Sequence, residues 1–208
     1  MVHGAFAYSL EAHTRRHGPR GYSDWSPYKP WLRDEFCFRC VYCLMRERWY
    51  PSGHVAFGVD HLRPRAHAPD RASDYENLVY ACQDCNALKG DARGVPDPCD
   101  SPYGAHLRIR QDGVIAGLSA VGQWLIDALR LNRATLLESR RRHIRLIDYL
   151  ESRPADLTLK SLLREILSYP EVLPNLAALR PPAGNVRPNG IRDSFFERRR
   201  RGDLDQTY

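Results

Sequence analysis

The clearest periodic pattern of hydrophobic residues lies in the C-terminal half of the chain. Leucine and isoleucine recur at helical spacing over residues 120–150, and Pro154 ends this segment. Residues 157–169 continue the same spacing, and residues 171–179 form a third, shorter stretch. The pattern therefore predicts a mainly α-helical region.

A pattern of another kind precedes these helices. Apolar and polar residues alternate on both sides of the dipeptide Asp112-Gly113. Because Asp-Gly is a preferred sequence for two-residue hairpin turns, we predict a β-hairpin with strands at 107–109 and 114–115. The hairpin and the helices together form the predicted region 105–182.

The two ends of the chain lack such periodicity. Residues 1–35 are basic and aromatic, which indicates an irregular arm that ends in a short helix near Trp31. Residues 183–208 are rich in proline, glycine and arginine, a composition typical of a flexible basic tail. Residues 36–104, which contain all six cysteines, are predicted to form the core domain.

Composition and charge narrow the class of protein. The 208 residues carry a formal net charge of +6, a mild bias towards polyanions such as nucleic acid. The first residues show no apolar core like that of a signal peptide, and no stretch approaches the roughly 18 apolar residues that span a bilayer. We therefore expect a cytoplasmic protein that does not contact membranes. Because the cytoplasm keeps thiols reduced, the cysteines favour metal binding over disulfides.

Four of the cysteines form two CxxC pairs separated by 38 residues. Such pairs on tight turns or helix starts can place four sulfur atoms around one ion, which predicts a closed structural Zn²⁺ site. The predicted ligands are Cys40, Cys43, Cys82 and Cys85.

Cys37 leaves an alternative open, since it also forms a CxxC pair with Cys40 and can replace one of the assigned ligands. We prefer Cys40 with Cys43, because the alternating run Phe36-Cys37-Phe38 resembles a strand. Cys37 and Cys99 are then free thiols.

The segment between and just beyond the two pairs contains distinctive polar residues. A strand-like run reaches Asp60-His61, Asn77 follows a loop, and Asn86 and Lys89 lie after the second pair. A strand, a loop and a helix that carries the second pair give a ββα arrangement. The oxygen donors of Asp60 and Asn86 suit Mg²⁺ or Mn²⁺ as a second metal ion.

This run resembles the HNH, or ββα-metal, nuclease family, whose core pattern is Asp-His, then Asn, then CxxC[HN]xxK. The resemblance covers residues 36–92. It implies that His61 is the general base, that Asp60 and Asn86 bind the catalytic cation, and that Asn77 orients the catalytic loop. Asn77 has a second interpretation as the cap of a following helix. Asn86 stands where other members have His, and it supplies an oxygen ligand.

The chemistry explains why these residue types are needed. Phosphodiester hydrolysis requires an activated water, and an imidazole with a pKa near about 6.5 can accept its proton at neutral pH. One cation can contact a non-bridging oxygen and the leaving oxygen together. The basic side chains of Lys89, Arg63 and Arg65 are predicted to position the phosphate.

The sequence therefore predicts an α+β protein in which a zinc-bound HNH core precedes the hairpin and the helical region. We predict a metal-dependent endonuclease, with DNA favoured over RNA as its substrate. The wider run from Asp60 to Asp91, with the segments at Asp112-Gly113 and 129–133, resembles HNH proteins of retron and Septu anti-phage systems. That resemblance implies a role in antiviral defence.

Two other functions stay open. The zinc module can bind nucleic acid without cutting it, or the chain can be an effector subunit whose residues 105–180 dock on an ATPase or sensor. Because one nuclease site cuts one strand, cleavage of a duplex would need a homodimer or two encounters.

Overall fold

The computed structural model describes residues 4–208, so the first three residues of the predicted arm lie outside it. The described chain is mixed α+β, as predicted, with short strands and mostly short helices. The strands are β1 (Phe57–His61), β2 (Leu78–Cys82), β3 (Leu107–Ile109) and β4 (Ile115–Gly117). The helices are α1 (Lys29–Glu35), α2 (Gln83–Lys89), α3 (Ala120–Ala128), α4 (Ala134–Glu151), α5 (Leu157–Leu167), α6 (Asn189–Arg192) and α7 (Phe195–Arg201).

Strands β1 and β2 pair in antiparallel register, with Asp60 opposite Val79 and His61 opposite Leu78. Every residue of β2 is buried, which anchors this small sheet in the hydrophobic core. Helix α2 begins directly after β2, because the extended backbone of Cys82 forms its N-cap. Because the two strands are antiparallel, the end of β1 lies against the last turn of α2, where Lys89 bonds Asp60 and the His61 carbonyl.

The N-terminal arm packs over this unit rather than extending from it. Its helix α1 includes Trp31, as predicted, and three consecutive charged residues of α1 are buried and paired. Arg33 makes a two-pronged ion pair with Glu47, while Asp34 accepts a hydrogen bond from the arm residue His17. Because buried charges are stable only when paired, these contacts fix the arm against the core.

The predicted hairpin is confirmed, since β3 and β4 pair around the turn at Asp112-Gly113. Gly113 has a φ of 78°, a conformation that glycine adopts without steric cost. Val114, predicted to open the second strand, instead belongs to the turn, and β4 begins one residue later.

The long helical segment predicted over residues 120–150 is interrupted. Helix α3 ends at Ala128, and Arg130 has a left-handed backbone with φ 44°. The side chain of Asn132 then hydrogen bonds to both the N–H and the C=O of Ile115, each at 2.8 Å. These two bonds hold the break between α3 and α4 against β4. Because they depend on a residue outside the helical segment, the periodicity of that segment does not predict the break.

The remaining helical predictions hold in part. The second stretch is α5, but residues 171–179 contain only a 3₁₀ turn, Leu176–Ala178. Within residues 4–208 no helix combines the length and the apolar character that crossing a lipid bilayer requires.

The C-terminal segment 183–208 differs from the flexible tail that its composition indicates. It forms α6 and α7, and Phe195 packs against Phe38 with ring centroids 5.3 Å apart. Tyr208 stacks on Tyr169 at 4.5 Å. Ser194 caps α7 by accepting a hydrogen bond from Glu197 N–H, which is a capping-box spacing. These aromatic contacts and the Ser194 cap stabilise a folded structure that the arginine-rich composition does not predict.

Candidate metal centre and active site

The four predicted cysteine ligands meet in one buried cluster, in which every sulfur lies within 4.8 Å of the others. The sulfur atoms of Cys43 and Cys82 are 3.8 Å apart. Tetrahedral coordination with Zn–S bonds of about 2.3 Å separates the sulfurs by about 3.8 Å. The donor types, the burial and the spacing therefore fit a structural zinc ion, which these cysteines could hold.

Two tight backbone features build this cluster. Cys40 and Cys43 lie on a turn closed by a hydrogen bond from Leu44 N–H to Cys40 C=O, and Leu44 has a φ of 61°. Cys82 ends β2 and Cys85 lies in the first turn of α2. A hydrogen bond from Val41 N–H to Tyr80 C=O joins the first pair to β2.

Cys37 is not part of this cluster, which removes the alternative pairing with Cys40. The strand expected at Phe36-Cys37-Phe38 is also absent from the described chain. Phe36 caps α1, and both Cys37 and Phe38 have positive φ values, 52° and 55°. This turn directs Phe38 towards the C-terminal aromatic cluster and keeps the Cys37 thiol away from the other sulfurs.

The four cysteines could bind a metal ion only as thiolates, and burial opposes that negative charge. Burial raises the pKa of the Cys40 thiol, and the neighbouring sulfurs disfavour further negative charge. Several thiolates can coexist in such a dry environment only if a metal ion neutralises them.

A second candidate site lies in a pocket of about 300 Å³ between the end of β1 and α2. The pocket brings together most of the polar residues singled out in the sequence. Its lining includes Asp60, His61, Arg65, Asn86, Lys89 and Asp91. Asp91 is an addition to the predicted set, and it supplies a second carboxylate close to Asn86 in sequence.

The His61 ring has a defined orientation in this pocket. Its Nε2 lies 2.9 Å from the carbonyl oxygen of Ala72. Because a carbonyl oxygen only accepts, Nε2 carries the proton, and Nδ1 is the basic nitrogen of the neutral ring. Burial lowers the pKa of His61, so the ring is neutral at pH 7. Nothing in the sequence pattern identifies the Ala72 carbonyl as the hydrogen-bond partner of this ring.

The Asp60 carboxylate is only 3% exposed and has three donors around it. Oδ1 accepts from Lys89 Nζ at 3.0 Å and from His61 N–H at 2.8 Å. Oδ2 accepts from the Tyr42 hydroxyl at 2.6 Å. Burial raises the pKa of Asp60, and Lys89 and Tyr42 oppose that change. A carboxylate has about four acceptor sites, so one is left for a further ligand.

Lys89 does not occupy the position that its predicted phosphate role requires. Its ammonium group is buried, and besides Asp60 it donates to the carbonyl oxygen of His61 at 2.7 Å. Lys89 thus holds the backbone and carboxylate of the Asp60-His61 pair. This ion pair could not be predicted from the sequence, because a helix lysine is normally solvated.

Asn86 lies on α2 and lines the pocket. Its Nδ2 donates to Val59 C=O at 3.1 Å, which leaves Oδ1 as the group available to a cation. Together with the free acceptor site of Asp60, this donor set fits a hard divalent ion. Arg65 also lines the pocket, whereas the exposed side chain of Arg63 does not.

Asn77 stays outside the pocket and makes no helix cap. Its side chain is 2% exposed and accepts from Arg63 N–H at 2.8 Å. It donates to the carbonyl oxygens of Arg63 and Arg71 at 3.0 and 3.1 Å. These bonds close the loop that carries Ala72, so Asn77 supports the carbonyl that orients His61.

We expect Asn77→Ala to lower the free energy of unfolding by about 1–3 kcal/mol, because three backbone groups lose the hydrogen bonds of a buried side chain. The loop that carries Ala72 should also loosen, and the His61 ring should lose its fixed orientation. Urea unfolding and the NMR signals of the His61 ring measure the two effects. Asn175→Ala is the matched control, since the exposed Asn175 only caps a 3₁₀ turn. Equal losses in the two variants would contradict a specific role of Asn77.

Comparison with known protein families supports one interpretation of this geometry. Residues 40–92 match the HNH endonuclease family. The matched HNH segment contains the cysteine cluster, the Asp60-His61 pair, Asn77 and Asn86. No curated protein matches the chain. The HNH match implies a nuclease or nucleic-acid-binding function for this segment, and it supports the predicted resemblance at the level of the family.

Proposed function

We propose that the protein is a metal-dependent HNH endonuclease that hydrolyses phosphodiester bonds, with DNA as its substrate. The observation that carries this proposal is the geometry around His61. A neutral imidazole, fixed at Nε2, lies in one pocket with a carboxylate and an amide oxygen donor. A module that only binds nucleic acid has no need of an oriented base beside such donors.

His61 acts in this proposal as the general base. Its Nδ1 accepts a proton from the attacking water, and the Ala72 carbonyl stabilises the imidazolium that results by accepting the Nε2–H hydrogen bond. Asp60 and Asn86 would hold a Mg²⁺ or Mn²⁺ ion. When bound, that ion supplies charge neutralisation at the phosphate and at the leaving oxygen.

The other pocket residues have supporting roles. Lys89 and Tyr42 hold the Asp60 carboxylate in place, and Arg65 contacts the phosphate of the substrate. Arg65 makes no hydrogen bond or ion pair with any residue from 4 to 208, so its donors are available to a ligand. The four cysteines would hold a zinc ion that ties α2 to β2, and with it the position of Asn86.

The proposal is tested by incubating the purified protein with supercoiled DNA, linear DNA, single-stranded DNA and RNA in parallel reactions. Each reaction contains Mg²⁺, Mn²⁺ or EDTA. We expect nicking of supercoiled DNA with either metal and none with EDTA. Binding of the same DNA without any cleavage would favour the alternative of a non-catalytic zinc module.

The role in antiviral defence comes from the resemblance to retron and Septu proteins, and the homodimer from the need to cut both strands of a duplex. Both stay predictions, as does an ATPase or sensor partner. A chain that is inert alone and cuts once a partner is added would support the effector-subunit alternative.

The pH dependence of cleavage provides a further test. A general base works when it is unprotonated, so activity rises as the pH rises through the pKa of His61. Because burial lowers this pKa, the midpoint of the acidic limb should lie below the ordinary histidine value of about 6.5. Initial rates of nicking between pH 5 and 8 at saturating Mg²⁺ give the midpoint. A midpoint above neutral pH would contradict the assignment of His61.

A further inference from the structure

The indole of Trp25 lies beside the candidate active site, although Trp25 belongs to the N-terminal arm and falls outside the HNH match. It contacts the His61 ring edge-to-face, with ring centroids 5.5 Å apart and an angle of 73°. The guanidinium carbon of Arg65 lies 4.1 Å from the centroid of the same indole. One side chain therefore contacts two residues of the proposed site.

The contact with His61 supplies an orientation that the hydrogen bond alone does not. The bond from Nε2 to the Ala72 carbonyl fixes one atom of the ring but leaves the ring plane free to turn about that bond. An aromatic ring packed edge-to-face restricts this rotation. Trp25 thereby sets the direction of Nδ1.

The contact with Arg65 orders a side chain that is otherwise exposed. Arg65 has no hydrogen-bond or ion-pair partner in the described part of the chain, and exposed arginines lose considerable rotamer entropy when a ligand fixes them. Stacking on an indole face holds the guanidinium plane while leaving its N–H edges free. Arg65 lines the same pocket as His61.

The arm itself is tethered at this point. Asp24 accepts a hydrogen bond from Trp25 N–H at 2.6 Å, and Tyr28 N–H donates to the Trp25 carbonyl at 3.1 Å. Ser73 Oγ donates to Ser23 C=O at 3.1 Å, which joins the arm to the loop that contains Ala72. Trp25 and Ala72, which both contact the His61 ring, are thus parts of one connected structure.

We propose that Trp25 is a positioning residue of the nuclease site, which fixes the ring plane of His61 and presents the Arg65 guanidinium to the phosphate. This inference rests on the proposed function and extends it to a segment that precedes the HNH match.

The kinetic test compares Trp25→Leu with Trp25→Phe, which keeps an aromatic face. We expect Trp25→Leu to lower kcat about tenfold through misorientation of the base and to raise KM about threefold through loss of the ordered arginine. Trp25→Phe should recover most of both losses. The exposed Trp124 on α3 provides the control, and Trp124→Leu should match the wild type.

Two kinetic outcomes would overturn the proposal. Values for Trp25→Leu within twofold of the wild type would show that the contacts have no catalytic consequence. Equal defects in Trp25→Phe and Trp25→Leu, or a fall in thermal stability that accounts for the lost activity, would show that Trp25 is only a packing residue.

A spectroscopic test does not depend on cleavage and so separates this inference from the nuclease assignment. The ring current of Trp25 should shift the Arg65 δ-protons upfield in the NMR spectrum of the wild type and of Trp25→Phe. The shift should vanish in Trp25→Leu, together with a change in the His61 ring-proton shifts. If the wild type shows no such upfield shift, the positioning role is wrong whether or not the protein cuts DNA.

Discussion

Replacing His61 with alanine should lower the rate of phosphodiester cleavage about 10²–10⁴-fold, the range attributed to a general base. The loss should appear in kcat, because the side chain acts on the attacking water and binds no part of the nucleic acid directly. DNA binding, measured by fluorescence anisotropy in Ca²⁺ or EDTA, should change little. Single-turnover cleavage of a labelled duplex measures the chemical step.

A neighbouring histidine provides the control for this variant. His67 lies in the loop that follows β1, is exposed and does not line the pocket, so His67→Ala should cleave at nearly the wild-type rate. Thermal unfolding of both variants shows whether the fold is retained. If His61→Ala keeps wild-type activity while it remains folded, the catalytic assignment is wrong, although nucleic-acid binding can still be the function.

Loss of one zinc ligand is expected to have the largest effect on stability. Structural zinc ions contribute about 10–16 kcal/mol in small zinc-binding domains, which equals or exceeds the total stability of about 5–15 kcal/mol of a typical protein. In Cys85→Ser the remaining three cysteines form an incomplete and buried site. We therefore expect this variant to lose its zinc and to unfold around β1, β2 and α2 at 25 °C.

Elemental analysis for zinc and circular dichroism measure the two consequences together. Cys99→Ser is the matched control, because Cys99 is half-buried and lies outside the four-cysteine cluster. It should keep a full complement of zinc and the wild-type unfolding transition. Equal zinc contents and melting temperatures in the two serine variants would contradict a structural metal at the cluster.

The candidate site is the part of the protein most visible in the sequence. Metal ligands and catalytic groups must have particular chemistry at particular spacings. The two CxxC pairs therefore indicate the cysteine cluster, and Asp60-His61 with Asn86 indicates the neighbouring pocket. The sequence says less about the side chains that surround these candidate residues. Tyr42 contacts Asp60 because the first cysteine pair packs against β2, and only that packing relates a residue between two zinc ligands to a carboxylate on β1.

The C-terminal half shows the same division between local and non-local information. Periodicity indicates the helices, since the apolar face of each repeats within a few residues. The break between α3 and α4 depends on Asn132 bonding to Ile115, a contact between elements 17 residues apart. The arginine-rich composition of residues 183–208 predicts a flexible tail, but the segment is folded. Phe195 and Tyr208 pack against Phe38 and Tyr169, which are distant in sequence, so composition does not predict these contacts.

The sequence by itself determined the fold class, the hairpin and the four clustered cysteines that could hold zinc, because each depends on residue type and short-range spacing. It also indicated the candidate residues of the neighbouring pocket. Only the tertiary structure decided that Lys89 pairs with Asp60 and does not extend towards the solvent. It also decided that the loop held by Asn77 brings the Ala72 carbonyl to His61. The N-terminal arm brings Trp25 to the same ring. These contacts join segments far apart in the chain. They form because burial of apolar surface brings the segments together and the buried polar groups must then find partners.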